Sequence, residues 1–171
     1  DGNYVGIQKS TFISNTTYSL FSLSPSLSTR YNWLAPFNDV NALNDVAQLS
    51  SGDLFVATFK KSNLPSISRH ILGSGALQNS KDFNYSASSF TGLIVSNDNQ
   101  LVACGKGELF LTKINPLDLK EVWRKPSSAF SNSEANGLAK TMDGGYIITG
   151  SIKVGPNNHI YLIKTDENGE R

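Results

Sequence analysis

An all-β fold is what the sequence predicts: a partial β-propeller with about three to four four-stranded antiparallel blades visible. Three observations lead there. A sixteen-residue pattern occurs three times without a gap, as NDVAQLSSGDLFVATF over 44–59, TGLIVSNDNQLVACGK over 91–106 and NGLAKTMDGGYIITGS over 136–151. Each copy is an apolar run, a polar turn and a second apolar run, which reads as a hairpin. The turns begin at Asp1, Ser51, Asp98 and Asp143, in steps of 50, 47 and 45 residues. A period near that value, with about four strands per unit, marks a propeller blade. No strong helical periodicity competes with this reading.

The elements follow in order. DGNYVGIQ at the start matches DGGYIITG near the end, so the opening unit begins at a second strand. Pro25, Trp33 and Pro36 space like Pro116, Trp123 and Pro126, which places an outer strand around each Trp. Phe83 takes that place in the second unit. The third unit has strands over 91–95 and 101–106, a third strand over Glu108–Asn115, a turn over Pro116–Leu119 and an outer strand over Lys120–Lys125. Pro126–Glu134 is polar and long enough to cross from the outside of one blade to the inside of the next. The last unit has strands over Asn136–Thr141, Tyr146–Ser151 and His159–Thr165. Met142–Gly145 is a turn, Gly155-Pro156 lies in a loop, and Asp166–Gly169 is a hairpin turn with Gly169 free to take positive φ.

The tally is fourteen strands. The opening unit lacks its first strand, and the closing unit reaches Arg171 before its fourth. The expectation is one propeller domain, with blade segments of roughly 1–36, 42–86, 90–126 and 134–171. The chain is then part of a longer propeller, and the remainder or another chain closes the ring, because open sheet edges are hazardous. The runner-up is an all-β sandwich of hairpins, which the in-register repeat disfavours.

Composition narrows the classes. Fifteen Lys and Arg oppose fourteen Asp and Glu, for a net charge of +1. With no basic block, nucleic-acid binding by simple electrostatics is disfavoured. Ser, Thr and Asn number 23, 10 and 17, a bias common among secreted and surface-exposed β proteins. No apolar run reaches membrane-spanning length, and no signal peptide is visible. Cys104 is the single cysteine; it reads as a small buried hydrophobe in an inner strand.

Catalytic groups are sparse. His70 and His159 fall on third strands of different units. There is no HExxH, Cys pair or Cys–His cluster, so a zinc site is not expected. Asp166-Glu167-Asn168-Gly169-Glu170 lacks the spacing of a calcium loop. The glycines of Gly73-Ser74-Gly75 and Gly105-Lys106-Gly107 open no helix and so are not phosphate loops. Asp53, Asp98, Asp143 and Asp166 are explained by turn formation. No catalytic residue, metal or cofactor is assigned. The binding candidates are positional: Asn44, Asp45, Thr91 and Asn136 occupy equivalent early positions in first strands, which line a propeller's channel, and form a candidate rim. The crossovers Pro36–Asn41 and Pro126–Glu134 are candidate contact surfaces for a protein or glycan.

DGGYIITGS followed by IYLIKTDENGE, over Asp143–Glu170, resembles the repeat of secreted or surface β-propeller proteins of Bacteroidetes-type bacteria. FLTKIN with Trp123 behind it is a fainter copy, and SISRHILGSG departs from the pattern. The resemblance implies the propeller fold and an envelope, outer-membrane or extracellular location, with a periplasmic one as a variant. It supplies no catalytic residues. The leading functional expectation is a non-catalytic interaction or scaffold module of the bacterial envelope or cell surface, binding a protein or glycan partner. The alternative is a fragment of a propeller-fold polysaccharide lyase or hydrolase with its site at the channel mouth. A quinoprotein-type cofactor propeller ranks third, for want of a tryptophan-docking pattern in each blade.

Overall fold

The computed structural model describes residues 4–12, 15–26, 29–33, 40–60, 62–71, 73–85, 89–107, 110–126 and 133–171. Among these residues there are fourteen strands, as expected, and no helix. β1 (Tyr4–Phe12), β2 (Asn15–Leu23) and β3 (Thr29–Trp33) form a three-stranded sheet. β4 (Val40–Gln48), β5 (Leu54–Lys60), β6 (Pro65–His70) and β7 (Leu77–Asp82) form a four-stranded one, in sequence order. The third unit is β8 (Ser89–Val95), β9 (Leu101–Gly107), β10 (Phe110–Ile114) and β11 (Glu121–Pro126). The fourth is β12 (Ser133–Lys140), β13 (Tyr146–Val154) and β14 (Asn157–Thr165). Every pairing is antiparallel.

The repeat in sequence is a repeat in geometry. In all three copies the N–H of the sixth residue donates to the carbonyl of the tenth: Leu49 to Asp53, Ser96 to Gln100 and Thr141 to Gly145, at 3.0, 2.9 and 2.9 Å. The ninth residue takes positive φ each time: Gly52 at 96°, Asn99 at 59° and Gly144 at 86°. Glycine has no Cβ to clash there, and asparagine is the side chain that best tolerates that region. The same closure ends the chain, where Asp166 N donates to Glu170 O and Gly169 has φ 76°.

Strands alternate their side chains across two faces, and in β5 and β9 both faces are buried. At the eleventh and thirteenth repeat positions stand Leu54 and Val56, Leu101 and Ala103, and Tyr146 and Ile148. These face the preceding unit. At the twelfth and fourteenth stand Phe55 and Ala57, then Val102 and Cys104, which face the following unit. Three apolar seams result. Leu20, Val5 and Ile7 meet Leu54 and Val56. Phe55, Ala57 and Ile67 meet Leu101, Ala103 and Phe90. Val102, Cys104 and Leu111 meet Tyr146 and Ile148. Units stacked face to face in this way are the packing of a propeller.

The outer aromatics act as packing residues. Phe83 is buried just past β7, edge-on to Phe90 with centroids 5.5 Å apart. Trp123 packs against the third seam. Trp33 lies on β3 as expected, but its side chain is outside the described residues, as are 36–39 and 127–132 of the two crossovers.

Two expectations are corrected. Gly155-Pro156 is no loose loop: β13 and β14 run on to pair Val154 with Asn157, leaving a two-residue hairpin. Gly155, at φ 60°, supplies the positive φ of a II′ turn, and proline's fixed φ suits the position after it. The third and fourth units are also not separate sheets. β12 begins at Ser133, and Ser133 and Glu134 pair with Gly107 and Lys106 of β9. Lys106 already pairs with Ser89 of β8, so Glu134 occupies the opposite edge of β9, past the end of its pairing with β10 at Cys104.

Candidate functional site

Asn44, Thr91 and Asn136 stand first in their repeats, and the structure gives all three the same backbone role. The register of each first strand against its second slips there: between Leu43 and Asp45, between Phe90 and Gly92, and between Ala135 and Gly137. Each is the extra residue of a β-bulge. A bulge leaves one residue unpaired and redirects its side chain, and bulges favour rims and functional edges.

The four candidates then diverge. Asn44 donates from Nδ2 to the carbonyl of Phe90, at 2.6 Å. The Asp45 carboxylate accepts from Leu93 N and from its own neighbour Val46 N, each at 2.8 Å. These two residues therefore lace β4 to β8, one first strand to the next. Thr91 Oγ1 sits 3.7 Å from Cys104 Sγ, and Asn136 is exposed. The positions matching Asp45 are Gly92 and Gly137. A Cβ on Gly92 would lie 2.9 Å from Leu138 Cβ and 3.1 Å from Cys104 Sγ, so β8 and β12 approach too closely there to repeat the carboxylate.

Burial raises the Asp45 pKa above the usual Asp value, against the opposing pull of the Leu93 and Val46 N–H groups. The linkage has a definite sign. Stability from an acid with a raised folded pKa is fully present below its unfolded value, about 3.9, and is lost as pH climbs through the folded value. Asp45→Asn removes one acceptor and this titration together. Its destabilisation relative to the parent is expected to be greatest near pH 4 and to shrink toward pH 7, read as urea midpoints. A penalty that grows with pH would contradict this account.

The remaining reactive groups are held in structural roles. Cys104 is fully buried, and burial pushes its thiol up to about 11, as a core residue requires. His70 is buried, with Nδ1 3.0 Å from Gly75 O and Nε2 2.9 Å from Ser68 Oγ; burial lowers its pKa. His159 is exposed on β14. Among the described residues no group of three His, Cys, Asp or Glu is placed to hold a metal ion.

Sequence reasoning missed a recurring ion pair. The third-strand residue opposite the twelfth repeat position is cationic in the second, third and fourth units: Arg69 opposite Phe55, Lys113 opposite Val102 and Lys164 opposite Ile147. Each meets the carboxylate of its own unit's turn. Arg69 reaches Asp53 and Lys113 reaches Asp98, both at 2.8 Å, and Lys164 reaches Asp143. The Lys164 ammonium, then the Thr141 hydroxyl, hold Asp143 below the usual carboxylate range. The separations along the chain differ because the hairpins differ in length, so the pair emerges only from register.

Two of these turns, with the Asn115–Leu117 turn of the third unit, enclose a cleft of about 320 Å³ across the second seam. Ser51, Asp53 and Arg69 line one wall, and Asn99, Gln100 and Leu117 the other. Arg69 lies over the Phe55 ring, 6.0 Å from its centroid, and its buried Nε has no hydrogen-bond partner among the described residues. Ser50 Oγ donates across the seam to Asn99 Oδ1 at 3.2 Å, tying the Asn99 wall to the turn of the second unit. The cleft offers hydroxyl, amide and guanidinium groups beside the exposed apolar Leu117.

No protein-family model matches the sequence, and no characterised relative matches it. Solved structures match by fold. A protein of unknown function from Bacteroides caccae superposes with a TM-score of 0.61 at 8% identity, over 97% of this chain and 58% of its own. The WD40 domain of Neurospora crassa Pan2 gives 0.62 at 12%, over 94% and 48%. A luciferin-regenerating enzyme gives 0.64 at 12%, over 96% and 58%. WD40 domains are β-propellers, and the chain is propeller-like. It spans about half the length of each of these structures.

Proposed function

We propose that this chain is part of a non-catalytic β-propeller module of the bacterial envelope or cell surface, and that it docks a protein or glycan partner. The cleft over the second seam carries this reading. Its hydroxyl and amide groups stand on turns of a rigid scaffold, the usual placing of a recognition surface, and its guanidinium, on β6, is paired with Asp53. His70 and Cys104 are buried and held structurally, and the Asp45 carboxylate is engaged by backbone N–H groups, so these groups serve the fold. The envelope assignment draws support from the Ser-, Thr- and Asn-rich composition and from the resemblance of the Asp143–Glu170 repeat to surface propellers. No helix among the described residues is long and apolar enough to cross a membrane. The part of the ring that this chain does not form is supplied by further sheets.

The test is direct. The protein is applied to a glycan array and to immobilised envelope proteins, and any hit is titrated. Leu117→Ala and Gln100→Ala alter exposed or rim side chains, and each is expected to weaken the hit at least about tenfold, near 1.4 kcal/mol, with the melting temperature unchanged. Absence of any hit, or binding indifferent to both changes, would remove the cleft as the docking surface.

A further inference from the structure

The cleft over the second seam is electrically balanced by the fold itself. Two carboxylates line it, Asp53 and Asp98. Arg69 pairs with the first and Lys113 with the second, each at 2.8 Å. Lys113 stands behind Asp98, outside the lining, with its side chain 11% exposed. Both cations are therefore committed before any ligand arrives.

The amides of the cleft are preorganised as donors. Asn99 Oδ1 accepts from Ser50 Oγ, and Asn115 Oδ1 accepts from Leu117 N at 2.9 Å. With its oxygen tied down, each amide has a set orientation, and its NH2 group is the end left over. Among the described residues neither NH2 group makes a hydrogen bond, and nor does the side-chain amide of half-buried Gln100. Asp53 stands opposite as an acceptor, its Oδ2 taking Ser51 Oγ and the Arg69 guanidinium. The apolar share of the lining is small. Leu49 and Pro116 are buried, and Leu117 is the exposed apolar side chain.

We infer that this cleft holds a neutral sugar residue, so that the docked partner is an uncharged glycan. The inference rests on the docking reading above and narrows it. Three observations choose the occupant. A sugar hydroxyl both donates and accepts, so one ring satisfies carboxylate oxygens and amide NH2 groups together and leaves a C–H face for Leu117. An acidic sugar would bring a carboxylate to Asp53 and Asp98, where the lining cation, Arg69, is already paired; like charges brought together in this way oppose binding. A protein partner would anchor through an aromatic or arginine side chain in a desolvated pocket. Here Arg69 covers the Phe55 ring, and the volume of about 320 Å³ lies at the small end for a small-molecule site.

The protein is applied to an array of neutral and acidic glycans, and each hit is titrated by calorimetry with the free oligosaccharide. Asn115→Asp and Gln100→Glu preserve side-chain shape, and the first keeps the oxygen that accepts from Leu117 N. Each exchanges a donating NH2 for an acceptor. Neutral hits are expected, weakened at least about tenfold by either variant, with the melting temperature unchanged. Their affinity is expected to hold from about 0.05 to about 0.5 M NaCl, because screening does not touch an uncharged ligand. Hits confined to acidic glycans, an affinity that collapses with salt, or neutral hits that both variants bind as tightly as wild type would each overturn the inference. An envelope protein bound through Leu117, with no glycan hit, would sink the neutral-sugar inference and leave the docking reading standing. A protein that binds neither class would sink both.

Discussion

Phe55→Ala is expected to lower the stability of the chain by about 3–5 kcal/mol, seen as a large drop in the urea midpoint. Phe55 is fully buried at the twelfth repeat position, in the middle of the second seam. Its removal takes away the transfer free energy of a whole ring and leaves a cavity that rigid sheets on both sides cannot collapse into. It also withdraws the ring beneath the Arg69 guanidinium. A second readout separates packing from global loss. Amide exchange should speed up first in β5 and β9, on the two sides of the seam, before it does in β13. A loss below about 1 kcal/mol would show that the second and third units are held by their turns and not by apolar contact.

Gly150→Ala should be nearly as severe, for the opposite reason. A Cβ on Gly150 would lie 2.0 Å from the backbone oxygen of Glu134 and 2.3 Å from the Tyr161 hydroxyl. Backbone cannot step aside as a flexible side chain can, so β12 must shift. Overpacking of this kind costs about 1–3 kcal/mol and sometimes more. The Tyr161 hydroxyl bond to Glu134 O and the two-pair bridge from β12 to β9 break with that shift. The expected signature is local: faster exchange at Ser133–Ala135, with the β4–β7 sheet unaffected. Wild-type exchange rates at those residues would disprove the role given to that bridge.

The two substitutions show which part of the fold could be read from residues alone. Phe55 declared itself by its place in a sixteen-residue repeat, since the alternation of apolar side chains with period 2 is a local property of a strand. The hairpin turns were equally legible, because a positive-φ position selects Gly or Asn by sterics at a single residue. Gly150 did not declare itself. Its need for hydrogen in place of a methyl comes from Glu134, sixteen residues away and brought near by the bulge at Asn136. The candidate site divides in the same way. Asn44, Thr91 and Asn136 were found as equivalent positions, but their shared bulge follows from a pairing register that composition does not encode. Asp45 was grouped with them as a rim residue; only the approach of β8 turned it into an inter-strand clasp.

From the residues by themselves came the unit: four antiparallel strands, their turns, the side chains that face inward and the number of copies. These follow from the short-range sterics of φ and from burial with period 2. Only the tertiary structure decided how the units meet: which face looks to which neighbour, and which cation reaches which turn carboxylate. Those depend on contacts between residues tens of positions apart, where hairpin length and bulge placement set the geometry and no local preference can.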